Sequence, residues 1–105
     1  MEILRFFVKG QIIKKDPTSP FNHMVAGSSN YYIAEFTMDE NWTGYSCIAR
    51  FNTNGILTYE PIISGKVIIP EKVLKYKRFS VSIIGKKNST ILNTNETRIV
   101  QMGGI

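Results

Sequence analysis

The sequence predicts an all-β protein, an immunoglobulin-like antiparallel β-sandwich formed by one domain over residues 1–105. Three observations predict it. Apolar and polar residues alternate over most of the chain, turn-forming dipeptides recur at roughly ten-residue intervals, and a single Trp sits among the alternating stretches. A period of two turns one face of each strand to a core and the other to water. Short strands with regular turn signals are the pattern of sandwiches and barrels. With 43% hydrophobic residues in 105, the chain has enough apolar surface for one modest core and too little for two.

Taken in order, Ile3 to Val8 and Gln11 to Lys14 read as one strand interrupted at Gly10, or as two. Asp16-Pro17-Thr18-Ser19-Pro20 opens a loop that runs to about Ser29, and loops of this length are commonly functional. Tyr32, Ala34, Phe36 and Met38 then share a face, with Glu35, Thr37 and Asp39 opposite. Trp42 follows Asp39-Glu40-Asn41 and is expected to close one end of the core; the competing reading makes it an exposed ligand platform. Cys47, Ala49 and Phe51 form the next buried face, opposite Ser46 and Arg50.

Asn54-Gly55 between that strand and Ile56–Tyr59 is a hairpin signal, because both residues tolerate positive φ. Ser64-Gly65 predicts a second turn, leading to the alternation of Val67 and Ile69. Pro70-Glu71-Lys72-Val73-Leu74, with Pro in the first position, predicts one short helical turn. Phe79, Val81 and Ile83 alternate with Ser80 and Ser82 in a strand expected to end at Gly85, before the turn Lys86-Lys87-Asn88-Ser89. Thr90–Asn93 and Thr97–Gln101 complete the strands. The expected structural core is Phe36, Trp42, Cys47, Phe51, Phe79 and Val81.

Residues able to do chemistry are few. One Cys, Cys47, excludes an internal disulfide and reads as a small buried hydrophobe. One His, His23, lies in the long loop, so neither a metal cluster nor a Cys/His or Ser/His pair is expected. The glycines are dispersed and form no phosphate cradle. The expectation is of a protein that is not an enzyme and takes no cofactor. No apolar run reaches membrane-spanning length, and the first residues do not resemble a secretory signal. The net charge is +5, but the bases are scattered through Lys14-Lys15, Lys75, Lys77-Arg78 and Lys86-Lys87. Nucleic acid is therefore not the expected partner; binding it would call for an OB-like fold stacking bases on Tyr31, Tyr32, Phe36 and Tyr45.

The middle of the chain carries a more specific pattern. An aromatic strand leads into Phe36-Thr37-Met38-Asp39-Glu40-Asn41-Trp42-Thr43-Gly44. Ala49-Arg50-Phe51 follows, then Val67-Ile68-Ile69-Pro70-Glu71-Lys72-Val73-Leu74, then Phe79-Ser80-Val81-Ser82-Ile83-Ile84-Gly85, with Thr94-Asn95 near the end. From about residue 28 to about residue 100 this resembles a small β-sandwich module of bacteriophage head-fibre, tail and baseplate proteins. The resemblance implies an attachment or spacer unit, often preceding a coiled coil or fibre, with no catalytic residues. Because the sequence ends at Ile105, it leads us to expect a small accessory protein.

The function so implied is that of a virion structural protein, decorating the capsid or anchoring a head fibre, assembled in the cytoplasm of the bacterial host. Its partners would be the major capsid protein or fibre and tail subunits, bound through Asp16, Pro17, Pro20, Phe21, His23, Met102 and Ile105. A tail or baseplate adaptor is the nearest alternative. A host-surface carbohydrate-binding module, using an exposed Trp42 and tyrosines, is the other.

Overall fold

A computed structural model of the chain describes residues 1–105 as an all-β sandwich. The strands are β1 (Glu2–Lys9), β2 (Ile12–Lys15), β3 (Tyr32–Met38), β4 (Ser46–Thr53), β5 (Ile56–Pro61), β6 (Lys66–Ile68), β7 (Arg78–Lys87), β8 (Thr90–Asn93) and β9 (Thr97–Val100). One sheet has the order β2-β1-β3-β6. The other runs β5-β4-β7-β8, with β9 also on β7. The ten residues of β7 serve two partners along one side: Arg78–Val81 pair with β9, and Ile84–Lys87 pair with β8.

The expected alternation holds. Leu4, Phe6 and Val8 of β1, Tyr32, Ala34 and Phe36 of β3, and Val67 of β6 point inward from the first sheet. Ala49 and Phe51 of β4, Phe79, Val81 and Ile83 of β7, and Ile99 of β9 meet them from the second. Together with loop residues they form one hydrophobic cluster, in which Phe6 stacks on Phe36 with ring centroids 5.2 Å apart. On the outer face of the first sheet, Arg5, Glu35 and Lys66 lie in one cross-strand row, with Glu35 3.2 Å from Arg5 and 3.8 Å from Lys66. The outward residues thus pair opposite charges across β1, β3 and β6.

Turn chemistry decides the hairpins. Asn54 and Gly55 adopt φ of 53° and 85° and connect Thr53 directly to Ile56, the two-residue hairpin that Asn-Gly favours. Ser64-Gly65 turns the same way between the bridge partners Ile63 and Lys66. At the N-terminus, the choice between one strand and two resolves as two: β1 and β2 form a hairpin around Gly10-Gln11. In Pro70–Leu74 the Leu74 N–H donates to both Pro70 and Glu71, which makes a single helical turn. Its Val73 and Leu74 are completely buried and plug the sandwich.

Four expectations need correction. Gly85 does not end its strand: β7 continues through Lys87, and the turn narrows to Asn88-Ser89. Ser82 is not wet but 1% exposed, because Arg50 on the neighbouring strand folds across it and donates Nε–H to its Oγ at 2.9 Å. Cys47 is only half-buried, since its end of β4 borders an open cleft. The fourth is the pairing of β1 with β3, which is parallel, the chain returning to it through β2 and the long loop.

Candidate interaction surfaces

The loop from Asp16 to Ser29 is mostly irregular, with one 3-10 turn at Phe21–His23. Its first half lies along β1. Asp16 N–H donates to the Arg5 carbonyl, and Arg5 N–H donates to Ser19 Oγ, both at 2.9 Å. Asp16 is 8% exposed, and its carboxylate accepts from the Thr18 backbone N–H and from Thr18 Oγ1. Those bonds hold the carboxyl below its ordinary pKa. Asp16 is therefore a turn-former rather than the contact residue expected of it. Phe21 is half-buried against Phe6, with ring centroids 5.4 Å apart, and Lys15 Nζ lies over the Phe21 ring. Pro20 is also half-buried, whereas Pro17 and His23 are exposed.

The second half of the loop meets the C-terminal segment at one end of the sandwich. Val25 and Met102 are parallel bridge partners; Met102 N–H donates to Met24 and Ala26 N–H to Met102, each at 2.9 Å. Gln101 is buried and donates Nε2–H to the carbonyls of Leu74 and Tyr76, tying the segment to the Pro70–Leu74 plug. Ile105 N–H donates to Lys75 at 2.9 Å. Met102 and Ile105, both expected contact residues, are thus brought beside the loop, and they remain 55% and 79% exposed. Val25, which sequence reasoning missed, is 52% exposed. Lys75 and Lys77, whose carbonyls accept from Ile105 N–H and Gln101 N–H, are exposed beside this apolar patch. The alternation of strands offers no signal for Val25, because its position depends on a bridge between segments distant in the chain.

Two concavities lie elsewhere. An open cleft of about 620 Å³ and mixed polarity is lined by residues including Met38, Asp39, Trp42, Tyr45, Cys47 and Ser64. Asp39 builds this end: its carboxylate accepts from Asn41 N–H and from Gly10 N–H, which starts the 3-10 turn Glu40–Trp42. The indole N–H of Trp42 donates to the Gly10 carbonyl at 2.8 Å. At 4% exposure Trp42 closes the core, and the exposed-platform reading of it is corrected. Burial pushes the Cys47 thiol above its ordinary pKa, opposite to what a reactive thiolate requires.

The second concavity, about 890 Å³, is polar and opens between the Asn54-Gly55 turn, β7 and the start of β9. Arg78 and Arg98 line it with Asn52, Ser80 and Glu96. Ser80 Oγ and Asn52 Nδ2 both donate to Glu96, and these bonds, Ser80's foremost, lower its carboxyl pKa. No three of the His, Cys, Asp and Glu side chains come together as metal ligands. No helix is long and apolar enough to cross a membrane. No protein-family model matches this chain, and no curated protein matches it either.

Proposed function

We propose that this chain is a structural protein of a bacteriophage virion, attaching to neighbouring virion subunits as a capsid decoration or head-fibre anchor. The observation that carries the reading is the joined loop and C-terminal segment, which gathers Val25, Met102 and Ile105 into one exposed apolar patch. Large apolar side chains exposed together and rimmed by charge suit a protein partner. Lys75 and Lys77 beside the patch favour a partner with acidic residues around its own apolar contact.

The residues of the phage-module resemblance support the same reading by their structural work. Asp39 and Trp42 seal one end of the sandwich, and Pro70–Leu74 plugs it beneath the patch. Binding would add contact area between subunits and stabilise their assembled state by mass action. Quantitative mass spectrometry of purified particles tests the proposal, with the major capsid subunit as reference. A ratio matching capsid lattice sites supports decoration, a handful of copies moves the chain to tail or baseplate, and absence overturns the proposal. Met102→Asp should abolish incorporation while leaving the fold intact.

A further inference from the structure

Strand β5 is the edge of the second sheet: β4 pairs with one side and no strand lies on the other. The hairpin register determines which backbone groups face outward. Thr53 and Ile56 flank a two-residue turn and form a hydrogen-bonded pair, and such pairs alternate with non-bonded ones along an antiparallel ladder. The bond from Ile62 N–H to the Cys47 carbonyl, at 3.0 Å, falls where that alternation requires it. Leu57 and Tyr59, opposite Asn52 and Arg50, are the non-bonded positions, so their N–H and C=O groups point away from β4. Pro61 has the same parity and, lacking an N–H, ends the outward row of donors.

Exposed strand edges are usually protected by a lysine, a bulge or a covering segment. Here the stretch from Phe51 to Gly65 contains no Lys or Arg, in a chain that has 13. Ile56, Leu57 and Tyr59 are 60%, 44% and 51% exposed. We propose that β5 is a dimerisation edge, at which two copies of this chain pair antiparallel about Thr58 and merge their second sheets into one.

Three features select a second copy as the occupant. First, pairing about Thr58 sets Leu57 opposite Tyr59 of the other copy, so residues with outward groups meet each other and form four hydrogen bonds. Second, the Leu57 and Tyr59 side chains, on the same outer face as Asn52 and Arg50, become aliphatic–aromatic cross-strand pairs. Third, Glu60 meets Ile56 rather than itself, and the cation-free segment is where two chains of charge +5 repel least. An edge of this length covers less than the ~800 Å² per partner typical of stable complexes, so the dimer forms only at high concentration.

Sedimentation velocity on the wild-type chain should show its mass rising from one chain toward two as concentration increases to about 1 mM. Amide exchange at Leu57 and Tyr59 should slow over the same range. Tyr59→Pro removes an outward donor without breaking a bond to β4, and Leu57→Lys adds the missing edge cation. Each should weaken dimerisation at least tenfold with an unchanged circular dichroism spectrum. A wild-type chain that stays single at about 1 mM overturns the proposal and leaves the edge to a strand of another protein. Dimers equally stable in both folded variants overturn it too.

Discussion

Gly85 lies directly beneath the ring of Trp42. A Cβ at position 85 would stand 2.7 Å from Trp42 Cζ3 and 3.1 Å from Tyr45 Cδ2. The glycine sits inside β7, where its lack of a side chain admits the indole between the sheets. Strand, 3-10 turn and β1–β2 hairpin therefore depend on one another, since Trp42 is fixed from its other end by the Gly10 carbonyl.

Gly85→Ala should cost about 1–3 kcal/mol, as overpacking a closed core does. Chemical denaturation followed by Trp42 emission measures it. A variant as stable as wild type would mean that the indole moves aside freely.

The acid arm of the stability curve should involve Glu96 and Asp16. Both carboxyls are lowered by hydrogen bonds in the folded chain, from ordinary values of 4.5 and 3.8. Folding therefore favours their charged forms, a contribution present in full above those values and lost as pH falls below them. Glu96→Gln should shrink the loss of stability below pH 4.5. Denaturant titrations across that range check it, and an unchanged slope would sink the prediction.

Cys47 should react slowly with iodoacetamide. Burial raises its thiol above the ordinary 9.0, so little thiolate exists at neutral pH. Its rate should lie below that of a cysteine in a short peptide, rise as pH is taken past 9.0, and reach the peptide rate in denaturant. A native rate equal to the peptide's would contradict the burial.

Gly104→Ala should release the C-terminal segment. Gly104 has φ of +87°, and a Cβ there would meet the Ala26 side chain and the Lys75 carbonyl at 2.8 Å. The expected result is faster amide exchange at Ile105 and Met102, with a stability loss of about 1–3 kcal/mol. Unchanged exchange would show that the segment is held without this fit.

The elements that were legible in the sequence are those specified by neighbours in the chain. The alternation of Tyr32 to Met38 and of Phe79 to Ile83 reflects one buried face, and Asn54-Gly55 specifies a backbone that few other residues accept. What was not legible depends on contacts across the fold. Ser82 is covered by an arginine from another strand, Asp16 is consumed by its own turn, and Val25 acquires its place only through Met102. Gly85 appears as punctuation until the indole above it is known. Of the expected contact residues, Met102 and Ile105 lie beside the loop at one end, while Asp16 is withdrawn from the surface.

The order of strands also bears on how the chain emerges from a ribosome. The β4–β5 hairpin can close once Pro61 has emerged, but β4 pairs on its other side with β7, which ends at Lys87. At bacterial and eukaryotic elongation rates that delay is about 1–5 s. Throughout it the nascent hairpin has two bare sides, one temporary and one that stays bare in the finished monomer. Synthesis on crowded polysomes would therefore be the stage at which this chain is most prone to pair with the wrong neighbour.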